Sequence, residues 1–148
     1  GAVYNLGTMT LDGCSITDNT ATSYYSAIHN SGNMTLSGCE ILRNQAGSNG
    51  GAVGNIGTLD MTDCIVSYND SALGGGVMNT GDGVMTITDC EFTHNSAFLG
   101  GAIHNQGSTM TITGCTFTPS KVAASVSCTT RLNCAVSPML WTGFIMLQ

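Results

Sequence analysis

The stretch GGAIHNQGSTMTITGCTFT, residues 100–118, decides the fold, because the chain writes nearly the same phrase several times. Aligned on cysteine, the copies place Cys14, Cys39, Cys64, Cys90 and Cys115 at intervals of 25, 25, 26 and 25 residues. Asn5, Asn30, Asn55, Asn79 and Asn105 keep nearly the same beat, as do Gly7, Gly32, Gly57, Gly81 and Gly107. A further register holds Asn19, Asn44, Asn69 and Asn95, each five residues past a cysteine. A period of this length marks a solenoid, whose repeats bury their apolar faces against one another.

Within each copy the apolar spacing is two. The segments before the cysteines read MTL, MTL, LDM, MTI and MTI, the alternation of a half-buried strand. Met9, Met34, Leu59, Met85 and Met110 are therefore expected to stack inside, with Leu11, Leu36, Met61, Ile87 and Ile112 as a second column. Ile16, Ile41, Val66, Phe92 and Phe117 form a third, and Val3, Ile28, Val53, Val77 and Ile103 a fourth. Three short strands per period, separated by Gly and Asn corners, describe one coil of a parallel β-helix. A helical repeat would need 3.6-residue spacing and fewer glycines.

Parallel strands pair about 4.8 Å apart, so identical residues sit on one another from coil to coil. Stacked asparagines can then pass amide hydrogen bonds along a ladder. Glycine after the first asparagine suits a corner with φ > 0. The cysteine column reads as small buried hydrophobes at a tight corner. Stacked parallel side chains rarely offer disulfide geometry, and a column does not converge on a metal ion.

Composition narrows the functional classes. Three basic against nine acidic residues give a net charge of −6, which leaves no patch for neutralising phosphates, so nucleic acid is not an expected partner. Charged residues are only 8% and hydrophobic ones 42%, so the chain is a folded domain kept soluble by Ser, Thr, Asn and Gly. No apolar run reaches the ~20 residues of a membrane-spanning helix. The chain opens inside a GAV motif, which is expected of a processed product or a piece of something longer.

The repeats resemble those of the chlamydial polymorphic outer membrane proteins, whose marks are a GGAI and an FxxN segment. The first stands at Gly50-Gly51-Ala52-Val53, Gly74-Gly75-Gly76-Val77 and Gly100-Gly101-Ala102-Ile103. It is degraded at Ser26-Ala27-Ile28 and shortened at Gly1-Ala2-Val3. The second stands at Phe92-Thr93-His94-Asn95, with Ile16, Ile41 or Val66 replacing Phe in other copies, while Ser120 replaces the asparagine after Phe117. The resemblance covers about residues 1–118. It implies a right-handed parallel β-helix of about five coils, as in autotransporter passengers and surface adhesins, with an extracellular or cell-surface location. It carries no catalytic residues and no cofactor.

Residues 119–148 lose the period and form a separate C-terminal tail, expected either to cap the last coil or to dock on another subunit. Cys128 and Cys134, six residues apart, suit a loop disulfide in an oxidising compartment, with free thiols as the alternative. The apolar end, with Trp141, Phe144 and Ile145, supplies candidate assembly contacts. Head-to-tail stacking of unlike ends gives an open polymer. A homopolymeric extracellular filament or surface layer is therefore the expected function, with an adhesive passenger that binds a surface partner or glycan as the alternative.

Other chemistries have weaker signals. Nine carboxylates are scattered, and Asp63 and Asp89, on adjacent coils just before their cysteines, are the only metal candidates. His29 and His104 share a register three coils apart, and no Ser/His/Asp arrangement stands out. A polysaccharide-active β-helix enzyme is thus a lesser reading, and no enzyme activity is expected. Outward columns of Thr10, Thr35, Thr86 and Thr111, interrupted by Asp60, and of Asp12, Ser37, Thr62, Thr88 and Thr113 resemble an ice-binding face; exposed strand positions favour threonine anyway. Of the two glycosylation sequons, Asn33 should carry a sugar and Asn69, a ladder residue, should not. The few aromatics available to an adhesive face are Tyr4, Tyr24, Tyr25 and Tyr68.

Overall fold

The computed structural model describes residues 1–24, 27–107 and 109–118, together with strand residues 126–128, 134–137, 140–141 and 145–147. The described chain is all-β and winds as a parallel solenoid of three main sheets. The first sheet stacks β1 (Val3–Asn5), β5 (Ile28–Asn30), β9 (Val53–Asn55), β12 (Val77–Asn79) and β15 (Ile103–Asn105). The second stacks β2 (Thr8–Asp12), β6 (Asn33–Ser37), β10 (Thr58–Thr62), β13 (Val84–Thr88) and β16 (Thr109–Thr113). The third stacks β3 (Ser15–Thr17), β7 (Glu40–Leu42), β11 (Ile65–Ser67), β14 (Glu91–Thr93) and β17 (Thr116–Phe117). A fourth, narrow ribbon of β4 (Thr20–Ala21) and β8 (Gln45–Ala46) continues through bridges from Gln45 to Asp70 and from Asp70 to Ser96.

Register follows the repeat. Met9 pairs with Met34, Leu36 with Met61, Ile87 with Ile112 and Phe92 with Phe117, so every inward column is one residue deep per coil. From the second coil onward these columns are completely enclosed, whereas Val3, Met9, Leu11 and Cys14 of the first coil are only partly covered. The Phe92 and Phe117 rings stack nearly parallel, with centroids 5.1 Å apart.

The tail lacks the signature residues yet adds strands to all three sheets. β18 (Val126–Cys128) pairs with β15, β19 (Cys134–Ser137) with β16, β20 (Leu140–Trp141) with β17, and β21 (Ile145–Leu147) with β18. Its spacing is irregular: Val126 lies 23 residues past Ile103, and Ile145 only 19 past Val126. Backbone pairing needs no particular side chain, so a coil can continue after its sequence signature has gone.

The glycines after the first asparagine serve a different purpose from the one expected. Gly7, Gly32, Gly57 and Gly107 are not among the positive-φ residues. A Cβ on Gly32 would collide with the Gly7 carbonyl, and one on Gly57 with that of Gly32, so close backbone approach excludes a side chain. In the fourth coil this place belongs to Gly83, since Val84 pairs with Thr58. Gly81, the residue that the even spacing suggested, lies in an inserted turn with φ 60°.

Candidate functional site

Two corners flank the third sheet, and both are built the same way. At each, a residue in the left-handed region precedes a buried ladder residue. Before the cysteines stand Gly13, Gly38, Asp63, Asp89 and Gly114, with φ between 51° and 67°. Before the second set of asparagines stand Asp18, Arg43, Tyr68 and His94, with φ between 53° and 58°. Glycine takes this conformation at no steric cost, whereas other L-residues pay roughly 1–2 kcal/mol, least for Asp and Asn. Asp63 and Asp89 therefore stand where three coils use glycine, and the Asp89 carboxylate lies over the Gly114 α-carbon. They form a pair: among the described residues, no three of His, Cys, Asp or Glu come together as a metal site.

The second corner carries an exposed ridge. Arg43 forks onto the Asp18 carboxylate through Nε at 2.9 Å and Nη2 at 2.8 Å. The hydrogen bond from Arg43 holds the Asp18 carboxyl below its usual range. One coil further along, Tyr68 and His94 stack face to face at 4.6 Å and 3°. Nothing in the repeat spelling announced this ridge, because its four residues share no chemistry and Arg and Tyr are not residues expected at positive φ.

Both asparagine ladders form. In the first, the Nδ2 of Asn5, Asn30, Asn55 and Asn79 donates to the Oδ1 of the next asparagine at 2.8–2.9 Å. These amides also donate to backbone carbonyls, Asn30 to Gly32 and Thr58, for example. In the second ladder Asn19, Asn44 and Asn69 donate to the next Oδ1 at 2.9–3.0 Å, and their backbone N–H groups share the same acceptors. The buried amides thus have partners on both sides, which is what burial of a polar group requires.

Cys39, Cys64, Cys90 and Cys115 are buried free thiols, and Cys14 is half-buried. Each donates its S–H to the carbonyl two residues back, at 3.3–3.5 Å. The N–H groups of Cys64 and Cys90 donate in turn to the sulfurs of Cys90 and Cys115 at 3.4 Å. Burial pushes the Cys39 thiol up. Hydrogen bonding to Cys115 and Cys64, together with burial, holds Cys90 far above the usual thiol range.

The remaining candidates are dispersed. His29 and His104 share the outer face of the first sheet but belong to the second and fifth coils, and burial lowers both pKa values. His104 is buried with neither ring nitrogen hydrogen-bonded. Tyr4 tilts against His29 at 4.8 Å, and with Tyr24, Val3 and Gly1 they line a hollow of about 420 Å³. Tyr25 lies outside the described residues. The second sheet presents its threonines outward, including a column missed in the sequence: Thr8, Asn33, Thr58, Val84 and Thr109. Asn33 is exposed there, whereas Asn69 is wholly buried in its ladder. Cys128 ends β18 and Cys134 opens β19, on different sheets, and the disulfide expected between them involves side chains outside the described residues. Trp141 ends β20 and Ile145 opens β21, with side chains likewise outside, as is the whole of Phe144. Among the described residues, no helix is long and apolar enough to cross a membrane.

A parallel solenoid with in-register core columns and polar ladders defines a class of β-helical protein. Residues 2–117 match the right-handed β-helix region family, so the chain belongs to it. No curated protein and no solved structure matches the chain.

Proposed function

We propose that the protein is a non-enzymatic structural β-solenoid of the extracellular space or cell surface, whose copies stack head to tail into a filament or layer. The observation that carries this reading is the like-on-like register. The regular coils stack through the same backbone groups, apolar columns and amide ladders, and the tail strands β19, β20 and β21 continue the backbone pairing to the end of the three sheets, so a copy can add to a copy through the strand edges as a coil adds to a coil. The likeness of the GGAI and FxxN segments to the chlamydial surface-protein repeat supports the location. In the junction, the terminal strands β19, β20 and β21 meet the first coil of the next copy. Purified protein should form rods visible by electron microscopy, with a sedimentation coefficient that rises with concentration. Removing residues 135–148 should leave a β-rich protein that no longer polymerises. A chain that remains monomeric at high concentration overturns the reading.

A second reading, adhesion through a lateral face, is favoured by the exposed ridge of Asp18, Arg43, Tyr68 and His94. A glycan-array screen tests it: binding abolished by Tyr68→Ala in a still-folded protein supports adhesion, and silence across the array counts against a glycan partner.

A further inference from the structure

The outer face of the first sheet carries one residue from each coil in register: Tyr4, His29, Gly54, Met78, His104 and Ser127. The two histidines of this column are held in opposite ways. His29 is only half-buried, and its Nε2 lies 2.7 Å from the Ser31 hydroxyl. His104 is 2% exposed, and among the described residues neither of its ring nitrogens has a hydrogen-bond partner. The segments leading into the two strands differ: Ser26-Ala27-Ile28 before His29, Gly100-Gly101-Ala102-Ile103 before His104. A Cβ on Gly100 would stand only 2.9 Å from that of His104, so the glycine backbone lies directly over the histidine. One coil earlier Gly74 covers Met78 in the same way, at 3.0 Å. There the covered side chain is a thioether that suits dry burial. In the fifth coil it is a base.

Met78 of β12 and Ser127 of β18 flank His104 in register, and residues 96–102 over it read SAFLGGA. None of these side chains carries a charge, so no described carboxylate offsets a proton placed on the ring. Lys121, between β17 and β18, lies outside the described residues. Gly100 and Gly101 bring no side chain to anchor the segment. What holds it to the preceding coil is backbone: Gly74 N–H donates to Leu99 O at 2.9 Å, Gly75 to Gly100 O at 3.1 Å and Gly76 to Gly101 O at 3.2 Å.

We propose that residues 97–102 are an acid-opened flap, lifted off the outer face of β15 by protonation of His104 while the other coils stay wound. An imidazolium under the flap would be a buried charge without a partner, which the closed form cannot accommodate. With the flap up, the ring meets water and regains its ordinary affinity for a proton. Glycine supplies the backbone freedom for that movement, and Gly100 already turns through φ 62°. Burial alone lowers the pKa of His104 in the closed form, so protons drive opening below the ordinary value of 6.5 and have no hold above it. Each further pH unit favours the open form by about tenfold until the closed form also titrates.

Hydrogen–deuterium exchange of the full chain, read by peptide mass spectrometry at pH 7.5, 6.5 and 5 and corrected for the intrinsic rate at each pH, tests the flap. Protection of the amides of residues 97–103 should hold down to pH 6.5 and then fall by up to about thirtyfold at pH 5. Residues 53–70 of the third coil, which contain no histidine, should keep theirs. His104→Met, which copies Met78 of the preceding coil, should make protection in 97–103 independent of pH. If circular dichroism shows that variant unfolded, His104→Phe takes its place. Protection in 97–103 that ignores pH in the parent, a pH dependence that survives the substitution, or an equal loss in the third coil would each overturn the flap.

Discussion

The two corners beside the third sheet share one backbone turn and differ in the side chain buried next to it. At one, the left-handed residue leads into a cysteine that makes long, weak hydrogen bonds to carbonyls. At the other it leads into an asparagine whose amide is bonded to the coils before and after it. The turn itself is indifferent to the choice: Gly38, Asp63, Arg43 and His94 all adopt it. Stability is therefore concentrated in the ladder residue, while the residue before it faces solvent and is free to vary. Arg43 and Asp18 are both more than half exposed, which is why their ion pair adds little.

The largest effect should come from emptying the polar ladder. Asn69→Ala removes the acceptor of the Asn44 N–H and Nδ2 groups and the donor to Ile41 and Asn95. Several buried groups are orphaned together, at roughly 1–3 kcal/mol each, so urea denaturation should show a loss of ~4 kcal/mol or more. The equivalent change at the other corner, Cys64→Ala, gives up a small apolar group and weak bonds and should cost only about 1 kcal/mol. Equal losses would erase the distinction between the corners.

Acid tests the buried imidazole of the first sheet. His104 is buried without a hydrogen bond and its pKa is lowered, so the unfolded chain takes up a proton that the folded one refuses. Its contribution is complete above the ordinary histidine range and is lost as the pH falls through and below 6.5. Denaturation midpoints should fall between pH 7.5 and 5, and His104→Phe should flatten that slope.

Alkylation separates the ends of the cysteine column. In the native protein at pH 8, iodoacetamide should modify Cys14 well before Cys39, whose thiol is buried and raised in pKa; peptide mass spectrometry reads the order. The smallest effects belong to the turn residues. Asp63→Gly should stabilise by about 0.5–1 kcal/mol by removing left-handed strain. Tyr68→Gly should stay within about 0.5 kcal/mol of the parent, because the relief is offset by the lost stack on His94.

The four apolar columns, both amide ladders and the buried cysteines were legible because stacking forces like onto like, and a 25-residue period displays it. The left-handed ridge was not legible: Asp18, Arg43, Tyr68 and His94 share a conformation and no chemistry. The fourth ribbon escaped for a related reason, since Thr20–Ala21 and Gln45–Ala46 are too short to show alternation. The inserted turn at Gly81 was hidden because Asn79 and Gly81 preserved the NxG spelling while Gly83 took over the packing position. The strands beyond residue 118 were hidden because their pairing uses backbone groups alone.

The asparagine ladders have one property that the sheets lack, which is direction. In both, the Nδ2 of the earlier coil donates to the Oδ1 of the later one at every rung. Strand dipoles in a sheet contribute little net field, but these side-chain dipoles add head to tail and polarise one another along the axis. The solenoid is therefore a vector as well as a rod. Copies joined in one sense would sum their moments, and copies joined in opposite senses would set oxygen against oxygen or amide against amide. A filament of such copies should orient in an applied electric field as a permanent dipole, so its electric birefringence should dip transiently when the field is reversed.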